Sequence, residues 1–394
     1  MGFPGSFQVR LTAQPPLHTM AKMKPHLRIL GTRGIPAEHG GFETFAEHCA
    51  LYLQKKGWDV TVYCQTKGTG PVTEDHWQSI RRITIPVDRE GPLSTMIFDW
   101  QAITHASREN GVVLCLGYNT ALFNLRLTRK NVPVVINMDG IEWRRDKWHL
   151  AAKIWFYLNE KAGVLYSTHL IADNPGIADH LYSRGARRPL TTIPYGALHI
   201  TDAPVKTLES YELKPSHYIL LIARPEPENS ILEIVRAFSS KIRPCRLVIL
   251  GNYSTEHSYQ NKILEAASDQ VNFLGAIYDP AIVSALRYHC LFYVHGHTVG
   301  GTNPSLVEAL GAGNPVLAHD NKFNRWVTGD EAAEFFSTEK ECAEKLDTLI
   351  NSPDRLEKMR AASTERFLDS FTWDTVLDEY EQCLRRYRHE DHHT

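Results

Sequence analysis

The stretch VHGHTVGGTNPSLVEALGAGNPVLAHD, residues 294–320, holds the groups best suited to gripping an anion. Gly300 and Gly301 let backbone reach a ligand with no side chain in the way, and Asn303 before Pro304 has the order of an N-cap followed by proline in the first helical turn. Free amides there, with the positive end of a helix dipole behind them, suit a diphosphate. Glu308, about one turn on, is placed to accept hydrogen bonds from sugar hydroxyls. The same pattern also describes an ordinary helix–strand joint, and the segment alone leaves the two readings level.

Other candidates are sparser. Asp139 and Glu142, in NMDGIEW (137–143) after an apolar run, are acceptor-side polar groups; Asp139 either aligns an acceptor hydroxyl or caps the following helix. Gly40 and Gly41 sit in a loop that would face a cleft. His295 and His297 with His319 could ligate a metal, although His-x-His at a strand end is more often a packing or polar contact. After the first strand the glycines are Gly31 and Gly34, so GxGxxG is absent, and no GxxxxGK[ST] loop exists. An NAD enzyme and a P-loop ATPase are therefore disfavoured. No two aspartates lie two apart, so a metal-clamping DxD is missing too.

The elements that must position these residues alternate strand, turn and helix. LRILG (27–31) reads as a buried strand, 34–41 as a glycine-containing loop, 42–56 as an amphipathic helix, and 57–64 as a turn and second strand. Further strands are expected at 112–116, 132–137, 169–172 and 190–193. A second series, with strands at 218–223, 246–250, 271–274, 291–294 and 315–318 and a helix at 231–238, follows an aperiodic linker near 196–216. Alternation of this kind predicts an α/β protein with two Rossmann-like domains and a cleft at the carboxyl ends of their strands.

Composition agrees. The 394 residues suit about two or three domains, and 43% hydrophobic with 22% charged residues is ordinary for a globular protein. A net charge of −2 gives no global attraction to nucleic acid. Seven cysteines without a CxxC pair suggest a reducing compartment and small buried side chains. No apolar run approaches the roughly 20 residues that span a bilayer, and residues 1–24 lack the order of a signal peptide. The expectation is a frayed 1–24 extension and a cytoplasmic protein.

Several motifs in order carry a family resemblance. GGFETFAEH (40–48) with GWDVTVY (57–63) resembles the first domain of retaining GT-B glycosyltransferases of family 4; YILLIARPEPEN (218–229) resembles the opening of their second. DQVNFLG (269–275) and GGTNPSLVEALGAGNPVLA (300–318) resemble their donor-binding region, and FTWDTVLDEY (371–380) their last helix, which crosses back onto the first domain. The resemblance implies an acceptor-side domain at 25–197 with the helix 371–389 on it, and a nucleotide-sugar domain at 214–370. It also implies a retaining hexosyltransferase that needs no metal or other cofactor. The implied catalytic residues are Asp139, Glu142 and Arg224; the implied donor-binding residues are Arg33, Gly40, Gly41, Arg224, Gly300, Gly301, Thr302, Asn303, Ser305 and Glu308.

GTRGIPAEHGGFET (31–44) and RPEPEN (224–229) are similar to the bacterial branch with rhamnosyltransferases of cell-surface polysaccharide synthesis. That likeness implies a dTDP-L-rhamnose donor and a polyprenyl-diphosphate-linked or saccharide acceptor. Two positions depart from the wider family. Its E-x7-E pair would place glutamate at Gly300, and a lysine common five residues after the domain-opening arginine is Asn229 here. A nucleotide-sugar epimerase and a non-catalytic nucleotide-sugar-binding protein remain alternatives. Finally, Trp143, Trp148, Trp155, Phe156 and Tyr157 are interleaved with Arg144, Arg145, Lys147, Lys153 and Lys161. A helix over 142–162 would either lay these aromatics among lipid headgroups at the inner membrane face or pack them against its own domain.

Overall fold

The apolar five-residue runs become inner strands of two sheets in the computed structural model, which describes residues 24–38 and 40–388. The expected N-terminal extension lies almost wholly outside the described residues. The first sheet comprises β1 (His26–Leu30), β2 (Asp59–Lys67), β3 (Thr73–Trp77), β4 (Ile80–Val87), β5 (Val112–Leu116), β6 (Val134–Asn137), β7 (His169–Ala172) and β8 (Leu190–Thr192), in the order β3-β4-β2-β1-β5-β6-β7-β8. Only β3 is antiparallel to its neighbour. The second comprises β9 (Tyr218–Ile222), β10 (Arg246–Leu250), β11 (Val271–Phe273), β12 (Tyr293–His295), β13 (Val316–His319) and β14 (Ala333–Phe336), in the order β11-β10-β9-β12-β13-β14. In each sheet the strand order reverses at the domain's first strand, β1 or β9, which is where doubly wound sheets open a crevice.

Helices packed on these sheets include α1 (Gly41–Lys55), α2 (Pro92–Ala106), α3 (Leu150–Tyr166), α4 (Pro304–Gly311) and α5 (Trp373–Arg385). Phe45, Ala46, Cys49, Ala50 and Leu53 recur at helical spacing on α1 and are buried. They meet Trp373, Val376, Leu377, Tyr380 and Leu384 of α5 in one core cluster. Each fully buried Val, Leu or Phe among them contributes about 1.5–3 kcal/mol. Polar pins fix the register: Tyr380 OH accepts from Asn137 Nδ2 at 2.7 Å, and Trp58 Nε1 donates to Glu381 at 3.1 Å. The chain crosses between the domains twice, and the crossings pair, Ala197 N donating to Phe371 O at 2.9 Å. Phe367 and Phe371, just before α5, are buried in the second domain, so the return helix ties the two domains together.

All seven cysteines are buried and free. No described helix is long and apolar enough to cross a membrane.

Candidate active site

A cavity of about 280 Å³ lies between the sheets at the carboxyl ends of their strands. The first domain contributes Asn137, Asp139, Glu142 and Arg145 after β6, Asp173 after β7, Tyr195 after β8, and the start of α1. The second contributes Arg224 after β9 and the loop from His297 to Pro304 after β12. An adjoining cavity of about 290 Å³ is lined by Arg145, Arg224, Asn229, Arg287, His297, Ser305 and Glu308. Arg145 and Arg224 therefore stand where the two cavities meet.

The loop at 299–303 docks on the first domain. Thr302 N donates to Asp173 Oδ2 at 2.6 Å, and Thr302 Oγ1 donates to the Asp173 carbonyl. Gly300 lies against the Phe323 ring, where a Cβ would fall as close as 2.8 Å to a second ring carbon, and Gly301, at φ +110°, faces the Asp173 carboxylate. A side chain at 300 would therefore require the Phe323 ring to move. Asp173 Oδ1 is buried with no hydrogen-bond partner among the described residues. Burial and then the nearby Asp139 push the Asp173 carboxyl up to about 7, and burial and then Glu142 push Asp139 up to about 6. Glu142 is held within its own domain, accepting from Arg145 Nη1 at 2.5 Å and Trp148 Nε1 at 3.1 Å.

On the second-domain side, Arg287 Nη2 is ion-paired with Glu308 Oε2 and donates to Ser305 Oγ at 3.3 Å. Ser305 Oγ also shares a 2.7 Å hydrogen bond with Tyr293 OH. Asn229 donates to the Arg224 carbonyl at 2.8 Å and bonds His297 Nδ1 through Oδ1 at 2.7 Å. Burial, reinforced by the fields of Arg145 and Arg224, lowers His297 to about 3, so it is neutral. Arg224 is exposed and forms no ion pair among the described residues.

The comparisons with known proteins follow this geometry. Residues 24–198 match a domain of unknown function (DUF1972), and residues 208–366 match glycosyl transferases group 1. The sucrose-phosphate synthase of Thermosynechococcus elongatus superposes with a TM-score of 0.77 at 17% identity, over 92% of this chain and 99% of that one. The chain has the GT-B fold and carries a glycosyl transferases group 1 domain over residues 208–366. Anabaena HepE (Alr3699) in complex with UDP and glucose gives 0.72 at 13%, over 92% and 100%. An E. coli structure described as trehalose-6-phosphate bound with UDP-2-fluoro glucose gives 0.70 at 11%, over 92% and 99%. No curated protein sequence matches.

Most of the residues implied from sequence meet at this cleft, with four corrections. Asp139, Glu142, Gly41, Arg224, Gly300, Gly301, Thr302 and Asn303 line the first cavity, and Ser305 and Glu308 the second. Arg33 does not join them: it lines a separate cavity of about 180 Å³ with Glu43 and Asp99. Gly40 is the α1 N-cap at φ +109° and lines none of the three cavities. The amides expected to be free are in part occupied. Asn303 Oδ1 caps Ser305 N at 3.0 Å, and Thr302 N belongs to Asp173. Over 142–162 there is no single helix, only a short 3-10 turn at Glu142–Arg144 and then α3. Its aromatics divide: Trp143 and Trp155 are half-buried, with Trp143 Nε1 donating to Glu160 and Trp155 Nε1 to the Asn119 carbonyl, each at 2.8 Å, whereas Tyr157 is exposed.

The sequence reading does not include Asp173 or Arg287, and it places Arg145 only among cations facing a membrane. Asp173 had a usable signal, a carboxylate directly after a buried strand and before an Asn-Pro helix start, the same placement as Asp139. Arg287 had little, since its partner Glu308 is 21 residues away.

Proposed function

We propose that this glycosyltransferase moves a hexosyl or deoxyhexosyl group, L-rhamnose from dTDP-L-rhamnose, onto a lipid-linked or saccharide acceptor in cell-surface polysaccharide synthesis. The observation that carries the nucleotide-sugar part is Arg224: an exposed, unpaired cation where two cavities join, one with room for a sugar and the other for a nucleoside. Leaving-group charge develops on the diphosphate, and a fixed guanidinium fork stabilises it without a metal. The UDP named with HepE and the UDP-2-fluoro glucose named with the E. coli structure support a nucleotide-sugar donor. Retention follows if the departing phosphate itself takes the acceptor proton, with Asp139 orienting the acceptor hydroxyl.

A membrane-facing role at the cytoplasmic side fits a polyprenyl acceptor. Its support is the outer face of α3, where Leu150, Ile154, Leu158 and Leu165 are 74%, 52%, 55% and 56% exposed. The aliphatic stripe, rather than the tryptophans, is the surface to meet lipid.

The test is a screen of dTDP- and UDP-sugars with a short lipid-diphosphate-sugar acceptor in excess EDTA, products identified by mass. Transfer from dTDP-L-rhamnose is expected. Release of an epimer or free sugar without acceptor would favour an epimerase, and binding without turnover a non-catalytic role. Activity seen only on adding Mg²⁺ or Mn²⁺ would sink the metal-free mechanism.

A further inference from the structure

Arg145 belongs to the first domain yet lines both cavities of the cleft. Its Nε donates to Glu228 Oε1 of the second domain at 2.9 Å, and its Nη1 to Glu142 at 2.5 Å. Glu228 is nearly buried, its side chain 4% exposed, and its other oxygen, Oε2, has no hydrogen-bond partner among the described residues. A guanidinium thus spans the cleft to a carboxylate that is only half satisfied.

The charges around it leave few alternatives for holding a diphosphate. Among the side chains that line the two cavities, the cations are Arg145, Arg224 and Arg287, and Arg287 is committed to Glu308. Against them stand the carboxylates Asp139, Glu142, Asp173 and Glu308. Asn229 is neutral and is tied to the Arg224 carbonyl and to His297. A diphosphate would meet Arg224 alone unless another cation joined it.

We propose that Arg145 is that second cation: on donor binding its fork shifts from Glu228 to the diphosphate, and Glu228 is the internal anion that holds Arg145 at the cleft until a phosphate replaces it. The proposal rests on the nucleoside-diphosphate reading of the cleft. Arginine suits it, because one planar fork can bond a carboxylate and a phosphate in turn with similar geometry. The exchange also makes the two carboxylate partners unequal. Glu142, on the same segment, steers the fork, whereas Glu228 competes with substrate.

Competition gives opposite signs to two substitutions, which a purely structural clasp would not. The experiment is equilibrium binding of UDP, dTDP, UMP and dTMP to the full chain as wild type, Arg145→Met, Glu228→Gln and the double variant, with melting curves as a folding check. The double variant removes the uncompensated buried carboxylate that Arg145→Met alone leaves. Arg145→Met and the double variant should bind the diphosphates about 10- to 100-fold more weakly, the range of a lost charged hydrogen bond, with a smaller loss for the monophosphates. Glu228→Gln should bind diphosphates more tightly than wild type. Equal losses in Arg145→Met and Glu228→Gln, or a loss that is the same for mono- and diphosphates, would overturn the proposal and leave a structural clasp. Wild type that binds no nucleoside diphosphate would instead remove the reading beneath it.

Discussion

The backbone N–H of Thr302 is bonded to the carboxylate of Asp173 at 2.6 Å, joining the loop after β12 to the end of β7 across the cleft. The anion at this loop is therefore one of the protein's own, buried and raised to about 7. A carboxyl whose folded value lies above its unfolded value holds extra protons in the native state between the two, so its ionisation destabilises the fold as pH rises through that window. Asp173→Asn keeps an oxygen for Thr302 and removes the charge. The melting temperature of Asp173→Asn minus that of wild type should be near zero or negative at about pH 4 and increase up to about pH 7. A difference that stays constant over that range would mean that Asp173 ionises as it does in the unfolded chain.

Gly300, where the family resemblance leads one to expect glutamate, packs against an aromatic ring. A side chain there runs into the Phe323 ring, so Gly300→Ala should lower stability by about 1–3 kcal/mol, the usual penalty of overpacking. In the Phe323→Ala background the same change should be nearly neutral, which chemical denaturation of the four proteins would measure as a coupling. Additive losses would place the ring and the glycine in separate sites.

Much of this arrangement was legible in the residues. The buried runs at 112–116 and 218–222 announced parallel strands because nothing charged interrupts them, the run at 27–30 did so despite Arg28, and Asn303-Pro304 marked the start of α4 because both residues have narrow helical roles. The β3–β4 hairpin was not legible. Four of the five residues of β3 are exposed, and its turn uses Gln78 and Ser79 at φ +47° and +66° instead of an Asn-Gly pair. The site was readable wherever its chemistry lies in one segment, and hidden wherever it crosses domains. Arg145 reads as a surface cation among WRRDKW, and only the packing of the two sheets brings Glu228 to it.

Arg224 is expected to matter through charge on the leaving group. Arg224→Ala should reduce turnover by about 2–4 kcal/mol of transition-state stabilisation, as for the loss of one oriented electrostatic donor, and Arg224→Lys by less. Steady-state rates at saturating donor check it. Three proteins of equal turnover would take Arg224 out of the chemistry.

Glu308 is pinned by Arg287, and its carboxylate is still 36% exposed toward the second cavity. Glu308→Gln keeps the hydrogen-bonding shape but weakens the pair with Arg287, so the main effect should be a weaker donor KM with kcat changed less. A change confined to kcat would move Glu308 from a nucleotide anchor to the reacting centre.

The surface prediction concerns α3. Leu150, Ile154 and Leu158 follow one another at a spacing of four and are more than half exposed, so replacing them with serine removes little of the core. Arg126, Arg129 and Lys130 lie beside Trp100 and Leu122 in a groove on the neighbouring helices, cations suited to anionic headgroups next to apolar side chains. The triple serine variant should melt close to wild type and sediment with anionic vesicles about 10- to 100-fold less at low salt, given about 25 cal/mol for each Å² of apolar surface withdrawn from water. Arg145 is a poor choice for such a test, since its side chain faces the cleft and its loss would act on Glu228. Arg129 and Lys130 are better, and their substitution should weaken binding most at low ionic strength. Vesicle binding that ignores both the aliphatic and the basic changes would leave the exposed face of α3 to a protein partner rather than to lipid.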